Sequence, residues 1–125
     1  LCKESEEGKK ACEAWIESWY FMIQSQSASI LGLKQNNKFI GAIGLTFTPS
    51  LEDGILSCME AFWFVDEQHR GQGLKLLLKA EKVAKARGAK RMMMMYLENS
   101  MPQKVKKVYE RLQYKKIQTT YFKEL

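Results

Sequence analysis

Apolar residues recur at helical spacing between residues 8 and 26: Ala11/Cys12, Trp15/Ile16, Trp19/Tyr20 and Met22/Ile23, with Lys9, Lys10, Glu13 and Glu17 between them. That period predicts an amphipathic helix. The pattern then changes to runs that read as strands: Ala28 to Leu33, Phe39 to Phe47 and Ile55 to Val65. Gln35-Asn36-Asn37 marks a turn between the first two, and Pro49-Ser50 with Glu52-Asp53-Gly54 marks the next connection, so an antiparallel meander is expected. The third run is almost continuously apolar, which predicts a central strand covered on both faces. Gln72 to Arg87 returns to the helical period, with Leu76, Leu77, Ala80, Val83 and Ala84 in one stripe, Lys75, Lys79, Lys82 and Lys85 elsewhere, and Gly88 as C-cap.

Arg91 to Leu97 reads as a further strand, with Met92 to Met95 as core filler on both sheet faces. A strand–helix–strand crossover makes it parallel to the Ile55 strand. Glu98-Asn99-Ser100 is a loop, and Pro102 opens a helix marked by Val105, Val108 and Leu112 and ending near Gln113. Tyr114 to Ile117 and Thr119 to Lys123 are expected to form a closing hairpin.

The chemistry concentrates in Gln68-His69-Arg70-Gly71-Gln72-Gly73-Leu74, where the third strand gives way to the helix. Two glycines one residue apart let the backbone approach a ligand closely. The first N–H groups of a helix lack internal partners and carry the positive end of its dipole, which favours an anion. The P-loop pattern is absent, and a dinucleotide fingerprint would need glycine where Leu76 stands. One carboxylate, Glu60, interrupts the apolar third strand. It either lies on an exposed side or sits in an apolar wall, where desolvation would raise its pKa and fit it to act as a base.

Composition narrows the classes. The 125 residues, 46 % of them hydrophobic, suffice for one domain, expected to span 1–125. No apolar run of roughly 18 residues occurs, so no membrane span is expected and a cytoplasmic protein is the default. Cys2, Cys12, Cys58 and a lone histidine make a metal site or a disulfide framework unexpected. Charge is uneven: residues 70–116 hold 14 Lys/Arg and 3 Asp/Glu, while the rest holds 6 and 11. The basic half begins at the glycine loop, as a polyanionic cofactor would require, although solvated lysine-rich helix faces and nucleic-acid binding give the same balance.

The motif Q-x-x-G-x-G after Val65-Asp66, together with Val108-Tyr109-Glu110-Arg111-Leu112-Gln113-Tyr114, resembles the GCN5-related N-acetyltransferase (GNAT) superfamily. The element order agrees with that family except for its first strand, expected upstream of Leu1. The resemblance implies an α/β (α+β) fold: a mixed, mostly antiparallel central sheet with a splayed parallel pair and flanking helices. It also implies acetyl transfer from acetyl-CoA, without a metal, to an amine-bearing acceptor such as a small molecule, a protein amine or an aminoacyl-tRNA.

In that likeness the main chain of Phe64 and Val65 pairs with the pantetheine arm, Gln68 and His69 belong to the cofactor-binding loop, and the backbone N–H groups of Arg70, Gly71, Gln72, Gly73 and Leu74 hold the pyrophosphate. Asn99 contacts the cofactor, Tyr109 points at the thioester sulfur, and Glu60 is the candidate base. Packing against Val105 and Leu112 is the structural alternative for Tyr109. The sequence departs from the family in having Glu67 where proline is expected, Gln113 where glycine is usual, and a spacing of ten from Asn99 to Tyr109 rather than seven. The closing hairpin would offer a natural homodimer edge. A non-catalytic acetyl-CoA-binding module and a basic nucleic-acid-binding domain are the alternative functions.

Overall fold

A computed structural model of the chain describes residues 6–95, 102–118 and 120–125. Asn36 and Asn37 both take left-handed backbone, with φ of 51° and 62°. A tight hairpin turn needs that conformation, and asparagine tolerates it better than most residues. They join β1 (Ala28–Gln35) to β2 (Lys38–Pro49) in antiparallel register. β2 pairs antiparallel with β3 (Leu56–Val65), and β3 pairs in parallel with β4 (Arg91–Met93), giving the order β1-β2-β3-β4. This is the mixed, mostly antiparallel sheet expected from the pattern.

Side chains alternate across a strand, so the two faces of β2 carry different sets. Ile43, Leu45 and Phe47 point to one face and pack with Cys58 of β3 and with Leu76, Ala80 and Ala84 of α2 (Gly73–Ala86). Gly44 points to the other face. Opposite it lies Phe62, which meets Trp15 and Trp19 of α1 (Glu6–Gln24). Gly44 is required there: an added Cβ would stand 2.2 Å from the Phe62 ring.

α1, α2 and α3 (Pro102–Arg111) each end on a left-handed residue, namely Gln26 (φ 64°), Gly88 (φ 90°) and Gln113 (φ 68°). Each closes with the long backbone bond of a Schellman motif: Ser27 to Met22 at 2.9 Å, Ala89 to Ala84 at 3.0 Å and Tyr114 to Tyr109 at 2.9 Å. The chain separates into two units, Leu1–Met94 with the sheet, α1 and α2, and Met95–Leu125 with α3.

Several expectations are corrected. The residues from Glu67 to Gln72 form a 3-10 segment, and α2 proper starts at Gly73. β4 stops at Met93; Met94 and Met95 are not in a strand, and Tyr96 and Leu97 lie outside the described residues. β3 is not covered on both faces, since Met59, Ala61 and Phe64 are exposed. Among the described residues no closing hairpin forms, since 114–118 and 120–125 carry no strand. Aromatic and β-branched residues favour a strand only where a partner edge and a packing surface receive them, and Ile117, Tyr121 and Phe122 are exposed. The dimer edge rested on that hairpin and loses its basis. Cys12 takes part in a disulfide, which the cysteine spacing had not suggested.

Candidate functional site

The site begins where β3 outruns its neighbour. The described pairing with β4 covers only Ser57 to Met59, yet β3 runs on to Val65 with β2 still alongside. From Glu60 onward the strand therefore has no described partner on its β4 side, including at Phe64 and Val65. A bulge lies at the same place: Leu45 faces Glu60 and Gly44 faces Phe62, so Ala61 is the extra residue. A bulge bends a strand and re-aims its side chains.

Glu60 is 7 % exposed. It stands opposite the fully buried Leu45, and no described hydrogen-bond donor or cation meets its carboxylate. Desolvation alone pushes its pKa from 4.5 up to about 7. Of the two sequence readings, the apolar wall is the one observed. Cys58, two residues earlier, is fully buried, and burial pushes its thiol up to about 11. A thiol held in that state is a poor nucleophile.

β3 is tied to β2 at its end by the Asp66 N–H, which donates to Ile40 at 2.7 Å. The 3-10 segment follows, kinked at His69 (φ −123°, ψ 18°), whose N–H donates to Asp66 at 2.8 Å. His69 Nδ1 is buried without a hydrogen-bond partner among the described residues, and Gln68 is exposed. Gln72 occupies the N-cap of α2 without a capping side-chain bond, and the first turn holds no acidic residue. No carboxylate of that turn therefore offsets the positive end of the helix.

The two glycines differ in what requires them. A Cβ on Gly73 would touch Trp63 at 3.5 Å and Val65 at 3.6 Å, ordinary contacts under the loop. A Cβ on Gly71 would meet nothing within 4 Å. Neither packing nor a left-handed backbone calls for glycine at 71, and close approach by a ligand would. Leu74 is exposed beside it.

The second unit holds Tyr109. It is 9 % exposed, donates its hydroxyl to the Met95 carbonyl at 2.6 Å, and lies 5.6 Å from the Tyr114 ring. Asn99 lies outside the described residues. The first unit thus brings Glu60, Phe64, Val65 and the loop residues onto one strand–loop–helix segment.

Two features go beyond what the sequence spacing assigns: which rings the Trp15–Trp19 face of α1 meets, and what Arg87 holds. An aromatic cluster joins Trp15 and Trp19 to Phe62 and Phe64, with centroids 5.2 to 6.2 Å apart. Phe62 could have been found from its place in the apolar run facing a glycine-rich strand. The second is Arg87, whose partners are distant in sequence and leave no local signal. A groove of about 330 Å³, lined by Lys85, Ala89 and Met92 among others, lies at the opposite end of α2 and gathers none of the candidate residues. No group of three or more metal-ligating side chains occurs among the described residues, and no described helix is long and apolar enough to cross a membrane.

Comparison with known proteins then gives three results. A sequence model of the Acetyltransferase (GNAT) family matches residues 1–114. No match is found among curated proteins. Solved structures superpose well. A Pyrococcus furiosus protein inferred to be an acetyl transferase is 25% identical, with a TM-score of 0.77 over 100% of this chain and 82% of that one. AAC(6')-Iy, solved with a bisubstrate analog of CoA and acetylneamine, is 14% identical, with a TM-score of 0.74 over 90% and 79%. The ribosomal-protein-alanine N-acetyltransferase of Brucella melitensis biovar Abortus 2308 is 17% identical, with a TM-score of 0.67 over 88% of each chain.

Proposed function

The chain belongs to the Acetyltransferase (GNAT) family, and on that premise we propose that it moves an acetyl group from acetyl-CoA to a primary amine by direct attack within a ternary complex. The observation that carries this reading is that β3 runs on from Met59 to Val65 beyond its described pairing with β4, and leads into a glycine loop and a helix start without a capping side chain. The residues fit the cofactor. The open space at Gly71 admits a phosphate, the N–H groups from Arg70 through Leu74 can hold it, and the main chain at Phe64 and Val65 can accept an extended amide arm as an added strand. Bound acetyl-CoA supplies the activated acyl group.

The chain's own residues handle protons and orientation. An acceptor ammonium must lose a proton before its nitrogen can attack, and Glu60, with a pKa raised to about 7, is the base for that step. Near neutral pH a base of that strength is partly ionised and also a useful proton acceptor. Tyr109 donates a hydrogen bond to the departing thiolate. A phenol (pKa ~10) is a weaker acid than a thiol (~8.5), so its contribution is hydrogen-bond stabilisation rather than full proton transfer.

A thermal-shift series with acetyl-CoA, CoA and ATP tests the reading. At a hundred times its dissociation constant, a ligand stabilises the fold by about 2.7 kcal/mol, several degrees for a domain of this size. Shifts with both CoA species and none with ATP support it, and no shift with any of them overturns it. One observation favours a second reading, a cofactor-binding module without turnover: the Tyr109 hydroxyl already donates to Met95. CoA binding without acetyl transfer to any amine would select that reading.

A further inference from the structure

The aromatic cluster has a buried base and exposed rims. Trp19 is 6 % exposed and meets Phe62 edge-on at 5.2 Å, while Gly44 leaves Phe62 room to lie against the sheet. Trp15 and Phe64 continue the cluster outward, 5.6 Å and 6.2 Å from Phe62, and keep 37 % and 50 % of their surface exposed. Core packing accounts for Trp19 and Phe62, and it leaves the two outer rings unexplained. Their position is informative, because Phe64 is the residue whose main chain would carry the cofactor's arm.

The charge partition supplies an independent constraint. Residues 1–69, which include α1 and the meander, hold 5 Lys/Arg against 10 Asp/Glu, whereas residues 70–125 hold 15 against 4. A polyanionic cofactor is attracted to the second set. Within α1 itself Glu6, Glu7, Glu13 and Glu17 outnumber Lys9 and Lys10, so the helix that carries Trp15 favours cations over phosphate-bearing acceptors. Exposed aromatic faces also attract ammonium groups through their quadrupole.

We infer that Trp15 and Phe64 form the subsite for the non-reacting end of the acceptor, and that this end is a second ammonium group. The acceptor is then a small diamine or polyamine, not an amine carried on RNA or on an anionic molecule. This rests on the acetyl-transfer reading above and narrows it.

Binding to the protein–CoA complex tests the inference, with 1,4-diaminobutane, spermidine, butylamine and 4-aminobutyrate compared at fixed ionic strength. The two polyamines should bind at least about tenfold tighter than butylamine, and 4-aminobutyrate more weakly than butylamine. Trp15→Leu should abolish the preference and Trp15→Phe should retain most of it, since a ring remains; circular dichroism confirms that each variant is folded. Equal affinities for the diamine and the monoamine, or a preference that survives Trp15→Leu, would overturn the inference while leaving acetyl transfer standing. Failure of CoA itself to bind would instead remove the reading beneath it.

Discussion

The hydroxyl of Tyr109 donates to the main-chain carbonyl of Met95 across 2.6 Å. A hydroxyl has one proton, so a thiolate can receive it only if this bond is given up or shared. Tyr109→Phe should therefore act twice. It should destabilise the protein by about 1–2 kcal/mol, because the Met95 acceptor loses its donor. It should also slow acetyl transfer roughly 10- to 100-fold, less than strong acid–base help would give, with little change in CoA affinity. Turnover at the wild-type rate in a steady-state assay would reduce Tyr109 to its structural bond.

Glu60 ties stability to pH with a definite sign. Its folded pKa of about 7 lies above the ordinary 4.5, so the folded state holds the proton more tightly than the unfolded chain. Stability is greatest below the ordinary value and falls as pH rises through about 7, by about 3 kcal/mol in all. Glu60→Gln should remove that slope in chemical-denaturation curves and leave the variant more stable than wild type at pH 8. The same variant should lose activity, on the order of 100-fold, if Glu60 is the base.

Arg87 joins elements far apart in sequence. Its guanidinium lies 3.9 Å from the centre of the Phe47 ring, donates to Ser29 Oγ at 2.7 Å, and donates to the Gln26 carbonyl. Arg87→Ala should cost about 2–3 kcal/mol by loss of the stacking and both bonds. Arg87→Lys should recover little, because an ammonium cannot stack flat and fork at once. Thermal denaturation of the pair measures the difference.

The helix ends offer a route to stabilisation. Gln26 and Gln113 adopt the left-handed conformation that Gly88 adopts without strain. Gln113→Gly and Gln26→Gly should each raise the unfolding temperature, corresponding to roughly 0.5–1 kcal/mol, and Gly88→Ala should lower it by a similar amount.

Much of the first unit was legible because its signals are local. Hydrophobic period placed α1, the meander and α2, and Asn36-Asn37 announced its own turn. Glu60 stood out as one carboxylate in an apolar run, and which way it points depended on a bulge that no period reveals. The expected C-terminal hairpin fails for the opposite reason: Tyr114 to Lys123 has strand propensity, and strand formation depends on an edge elsewhere in the fold. Gln113 was noted as a departure from glycine, and its positive φ gives the physical meaning of that position.

Cys58 carries a last consequence. Its thiol is fully buried between β2 and α2, with its pKa raised to about 11. Alkylation by a small reagent therefore has to wait for the sheet to open, and its rate becomes a clock for that opening. In native buffer the labelling should track the global unfolding equilibrium rather than reagent access, and a saturating cofactor that binds only the folded state should slow it in proportion to the stability it adds. Labelling as fast as in the denatured chain would show that the centre of the sheet breathes freely.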